Sequence, residues 1–192
     1  MLSTPIRKAE GVFLALCAGI LYVLAFRATE QLGSWAIYSQ GVYLIYLSAG
    51  IKHIAILIAG PWGALGCFLG MLFAVNEVWH GASLENMLLL CAISIGTTWT
   101  GIAWGLRLLG VNRDLQNLKF IHLPLLDLLT TGLHGITTNI FYLYTGMKID
   151  DLKGNVLAMM LGDFTGSMLI MTVLWSALWL CKIYSQFKGK SH

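Results

Sequence analysis

Residues 44–70 read LIYLSAGIKHIAILIAGPWGALGCFLG. The stretch is apolar enough for a lipid bilayer, yet Lys52 and His53 fall near its middle and Gly60-Pro61 interrupts it. Proline lacks an N–H and suits the first turn of a helix, so the stretch reads as two helices that meet at residues 60–61. An ionisable side chain inside a membrane is expensive unless it is paired or hydrated, so Lys52 and His53 require partners or a wet cavity.

The rest of the chain has the same character. Of its 192 residues, 57% are hydrophobic and 11% charged, with a mean hydropathy of +0.74. A soluble domain carries about a quarter charged residues. The composition therefore indicates an all-α, polytopic integral membrane bundle, and no alternating segments of the barrel kind occur. Apolar runs and breakers mark six spans, at about 11–27, 35–59, 61–75, 84–108, 121–146 and 155–181. The second is the least regular. Gly41 and the triplet Ser48-Ala49-Gly50 interrupt it, which is compatible with a short or re-entrant helix.

The chain reads as one membrane domain over 1–192, with no linker to a second module and a short polar tail after Lys182. The N-terminal pattern of Arg7, Lys8 and an apolar run to Phe26 imitates a signal peptide. The following Phe26-Arg27-Ala28-Thr29-Glu30 offers no small-x-small cleavage site, so an uncleaved first helix is expected, with Arg27 snorkelling to the interface.

Charge sets the orientation. With the N-terminus inside, the inner segments hold the eight residues Arg7, Lys8, Arg107, Arg113, Lys119, Lys182, Lys188 and Lys190, whereas the outer ones hold Arg27, Lys148 and Lys153. Cytoplasmic flanks carry the Lys/Arg excess. Both termini are thus expected in the cytoplasm of a multi-pass protein of the bacterial inner membrane, with the lipid bilayer as its main partner. The net charge of +3 is spread over loops, which argues against nucleic acid. Cys17, Cys67, Cys91 and Cys181 stand singly in apolar runs and read as packing residues.

Five ionisable residues fall inside the spans: Lys52, His53, Asp127, His134 and Asp163. In HLPLLDLLTTGLHGITTNIFYLYTG (122–146), Asp127, Thr131, His134 and Thr138 recur at helical offsets and share one face, with Asn139 beside it. That polar stripe must face the bundle or a wet cavity. Threonines on it read as interhelical packing groups. For Asp127 and His134 a packing role and a ligand-binding role both stand, and Asp127 is close enough to the inner end to be solvated there. Opposite buried charges pair, so Lys52 is expected to meet Asp163, with His53 or His134 nearby. The pair would serve either a ligand pocket or helix packing alone.

Imidazole and carboxylate suit a transition metal, but no HxxxH or HxH spacing places two ligands on one turn, and no metal or other cofactor is expected. No Ser or Cys stands in a nucleophile motif, so no catalytic residue is assigned and the chain does not read as an enzyme. The glycine pairs Gly66/Gly70, Gly101/Gly105 and Gly162/Gly166 provide small helix faces for close packing. Trp35, Trp79 and Tyr144 fall where interfacial aromatics belong.

The string YLSAGIKHIAILIAGPWGALGCFLG, with Ala49, Gly50, Gly60, Gly66 and Gly70, followed late in the chain by GDFTG with Gly162 and Asp163, resembles MASE-type membrane-associated sensor domains. Ser48 stands where that family usually has proline, and no kinase or cyclase module accompanies the segment. The resemblance implies a signal-input domain that responds to a small ligand or to the state of the membrane and reports through a signalling partner. Lys52, His53, Asp127, Thr131, His134, Asn139 and Asp163 would line its pocket. Length and span count are also similar to the substrate-binding subunits of energy-coupling-factor transporters, which implies small-molecule transport with a transport partner. That second likeness is at the level of fold only.

Overall fold

The computed structural model of the chain describes residues 8–112, 114–146 and 151–188, side chains at 178 and 181–188 excepted. The expectations for Arg7, Arg113, Lys148, Lys190 and the side chains of Cys181, Lys182 and Lys188 therefore lie outside the described residues.

Six α-helices account for most of the described chain: α1 (Lys8–Glu30), α2 (Leu47–Ala59), α3 (Pro61–Val78), α4 (Leu84–Leu108), α5 (His122–Tyr144) and α6 (Leu152–Lys188). Pro61 occupies the first turn of α3, and the Ser83 side chain caps α4 by accepting from the Asn86 N–H at 3.2 Å. Four helices, α1, α3, α4 and residues 152–177 of α6, are long and apolar enough to cross a membrane. With 13 residues, α2 is about 20 Å long, short of the ~30 Å of hydrocarbon in a bilayer. α5 matches α1 in length but carries the polar stripe and is not among these four.

The bundle is apolar outside and polar within. Phe13, Leu16, Ile20 and Leu24 of α1 are each more than half exposed, whereas Lys52, Asp127, Thr130 and Asn139 are at most 1% exposed. A protein solvated by water shows the reverse pattern. Lipid as the surrounding medium accounts for it.

The second span departs from the expectation. Residues 35–46 are not helical beyond a short 3₁₀ turn at Ser34–Ala36; they form a two-stranded antiparallel hairpin, β1 (Ile37–Ser39) and β2 (Val42–Tyr43). Gly33 and Gly41 adopt φ of 86° and 75°, which breaks a helix and closes the turn. Aromatic and β-branched neighbours suit the strands. Gly41 is required twice over, because a Cβ there would also lie 3.0 Å from the Trp79 ring.

The hairpin is tied across one end of the bundle. Gln40 Nε2 donates to the Val78 carbonyl at 3.0 Å, Ser39 Oγ to Asn155 Oδ1 at 2.9 Å, and Thr165 Oγ1 to the Leu44 carbonyl at 3.0 Å. The Tyr46 N–H donates to the Gly162 carbonyl at 2.9 Å, and the Leu47 N–H to Thr29 Oγ1 at 3.1 Å. Helices α1, α3 and α6 therefore all hold it in place.

Glycine contacts give the helix directions. Gly66 packs on Ala15 and Gly70 on Gly19, so α1 and α3 run parallel. Gly101 meets Thr130 and Gly105 meets Leu126, so α4 and α5 are antiparallel. Gly63 against Ala55 sets α3 antiparallel to α2, while Gly162 under the Tyr43 carbonyl and Gly166 under that of Tyr46 align α6 with α2. Odd-numbered helices run toward the hairpin and even-numbered ones away from it. All three glycine pairs serve close packing, as their spacing suggests. Of the interfacial aromatics, Trp35 and Tyr144 are exposed, but Trp79 turns inward beneath the hairpin, its ring 5.3 Å from that of Tyr142.

Candidate functional site

The buried face of α5 carries Asp127, Thr130, Thr131, His134, Thr138 and Asn139, as its periodicity requires. Asp127 is 1% exposed, so it is not solvated at the helix end. From the facing side, α2 brings Lys52 and His53, which point in different directions because consecutive helical residues are about 100° apart.

The expected Lys52–Asp163 contact is not made. Gly50 packs on Ser167 and Ile170 of α6, and His53, one turn further along α2, shares that face. Lys52 is thereby turned toward α4, where its Nζ donates to Ser94 Oγ at 3.0 Å. It remains within electrostatic reach of both Asp163 and Asp127 without touching either. Asp163 pairs instead with His134, whose Nδ1 lies 2.7 Å from Asp163 Oδ2.

His53 forms a second pair. Its Nδ1 is 2.5 Å from Asp127 Oδ1 and 3.0 Å from Ser167 Oγ, and its Nε2 is 2.5 Å from Thr130 Oγ1. Thr130 also donates to the Asp127 carbonyl at 2.9 Å. The Asp127 carboxylate is close to the ring but makes no aligned hydrogen bond. A Ser–His–carboxylate relay places Ser and carboxylate on opposite ring nitrogens; here Ser167 shares Nδ1 with Asp127, and Thr130, on the Nε2 side, is also within hydrogen-bond distance of the Asp127 carbonyl.

Thr131 Oγ1 bonds back to the Leu128 carbonyl at 3.2 Å, and Asn139 Nδ2 to that of Gly135 at 2.8 Å. These two candidates stay within the packing of the helices. Three buried polar atoms in the half of α5 nearer the hairpin have no partner: His134 Nε2, Thr138 Oγ1 and Asn139 Oδ1.

Two cavities complete the site. The larger, about 50 Å³, lies under the hairpin, with Ser94, His134, Thr138 and Asp163 among polar residues and Tyr43, Tyr46, Trp79 and Tyr142 among aromatic ones in its wall. The smaller, about 20 Å³, adjoins His53, Asp127 and Thr130 toward the opposite end, beside Leu123 and Met171. At roughly 10–15 Å³ per water, the first has room for about three to five waters and the second for about one or two. Among the described residues, no three His, Cys, Asp or Glu side chains converge as metal ligands.

Sequence reasoning passed over Ser94, Thr130, Ser167 and the aromatic wall. Thr130 lies three residues after Asp127 and Ser167 four after Asp163, so helical spacing carried a signal for both. Ser94 carried none, because its partner comes from a different helix. Comparison of the chain with protein-family models, with curated proteins and with solved structures returned no match.

Proposed function

We propose that the chain is a six-span bacterial inner-membrane protein similar to a MASE-type sensory domain, which registers a small polar solute in the cavity beneath the hairpin. One observation carries this reading: His134 Nε2 and Thr138 Oγ1 are buried, lack partners and belong to residues of the cavity wall. A buried polar group without a partner costs about 1–3 kcal/mol, and a bound solute would recover that cost. Convergent polar groups on a concave, partly aromatic wall are the usual makings of a ligand site.

The alternating helix directions and the Lys/Arg excess away from the hairpin support an orientation with both termini in the cytoplasm. In that orientation the cavity lies toward the outer side. Output would pass through α6 to a signalling partner.

The alternative is a transport subunit. Pockets for vitamin-sized molecules span about 300–1,000 Å³, far above the 50 Å³ here, which favours sensing. Purification from native membranes in mild detergent, with mass spectrometry of retained small molecules and co-purifying proteins, tests the two readings. A kinase or cyclase together with a polar molecule that is lost in His134→Ala supports the sensor. An ATPase with a coupling subunit supports transport, and a protein emerging alone and empty leaves the polar groups to helix packing.

A further inference from the structure

Resting on the receptor reading, we propose that the solute recognised under the hairpin is a small primary ammonium cation, of the size of ammonium or methylammonium. Three independent features of the cavity converge on this class.

The first is its wall. Tyr43 and Tyr46 stack with centroids 5.4 Å apart, Trp79 and Tyr142 pack at 5.3 Å, and Phe26 of α1 adds a fifth ring. Aromatic rings attract cations through their quadrupoles, most strongly where water is excluded. An anion in the same place would meet those rings and the Asp163 carboxylate.

The second is the hydrogen-bonding sense of the free atoms. An ionised Asp163 only accepts, so the proton of His134 sits on Nδ1, and Nε2 presents a lone pair. The Thr138 hydroxyl, without a partner, offers a second acceptor. Both suit a ligand that donates, and an ammonium group does nothing but donate. Lys52, the one buried cation among the described residues, is not part of the wall and is engaged by Ser94.

The third is size. The cavity, about 50 Å³, holds only a few heavy atoms, which admits ammonium and methylammonium and excludes bulky amines in this conformation.

Calorimetric titration of the full chain in lipid nanodiscs tests the proposal, with methylammonium chloride as probe and sodium acetate and acetamide as the anionic and neutral counterparts. Saturable binding of methylammonium is expected, about tenfold weaker in Asp163→Asn, as loss of a close charge contact implies. Thr138→Val, which removes an idle hydroxyl and should fold normally, is expected to weaken binding a few-fold. Saturable binding of acetate or acetamide but not methylammonium overturns the ligand class and leaves the receptor reading standing. Methylammonium binding unchanged in both variants overturns the site. Absence of methylammonium binding to the wild type overturns the inference, and the native-membrane purification then judges the receptor reading separately.

Discussion

The two histidine–carboxylate pairs are made from the same residue types and are both buried in the bundle, yet their rings are surrounded differently. His53 has neighbours on both ring nitrogens, with Asp127 and Ser167 at Nδ1 and Thr130 at Nε2. His134 is engaged at Nδ1 by Asp163 and has nothing at Nε2. The closed pair joins α2, α5 and α6 and behaves as a packing element. The open pair borders the larger cavity, where a bound group would complete it. What separates a structural histidine from a binding one here is the unfilled hydrogen-bonding position, not the presence of a charged partner.

The largest expected effect comes from breaking the closed pair. His53→Ala leaves the Asp127 carboxylate buried without its counterpart and should cost about 3–5 kcal/mol, read as a lowered thermal midpoint in detergent. His134→Ala should cost less, about 1–3 kcal/mol, because water can reach Asp163 through the cavity, and it should eliminate solute binding. Equal losses in the two variants would erase the distinction between the pairs.

A smaller change sharpens the comparison from the other side. Ser167→Ala removes one of the groups at His53 Nδ1 and should cost about 0.6–1.7 kcal/mol, the range for single interhelical hydrogen bonds in membranes. Solute binding should be unaffected, and a parallel loss of binding would mean that the two pairs act as one site. The smallest effect belongs to Thr138→Val. Its hydroxyl has no partner, so stability should stay within about 0.5 kcal/mol of wild type while binding weakens; a clear loss of stability would show that the hydroxyl is already engaged.

Helices α3, α4 and α5 begin close to where Pro61 and the apolar runs placed them. These are local signals, carried by residues within a turn or two of each boundary. The hairpin was missed for the opposite reason. Residues 37–43 are mostly aromatic and aliphatic, as a spanning helix would be, and the decisive cue is Gly41, whose left-handed backbone closes the turn and whose missing Cβ makes room for the Trp79 ring. Trp79 comes from 38 residues further along the chain, beyond the range of any periodicity argument.

The polar stripe of α5 and the five ionisable residues were legible because a 3.6-residue repeat and an apolar background expose them. Pairing was not. Lys52 and His53 are adjacent in the chain, and rotating α2 by about 100° would exchange their roles. The contact of Gly50 with Ser167 and Ile170 sets that rotation, giving His53 the α6 side and Lys52 the serine of α4. Composition and periodicity thus settled that this chain has long apolar helices with charges inside them. Which charge meets which, and which histidine keeps a nitrogen free, depended on how six helices and a hairpin pack, because those contacts join residues far apart in the chain and turn on helix rotation rather than residue type.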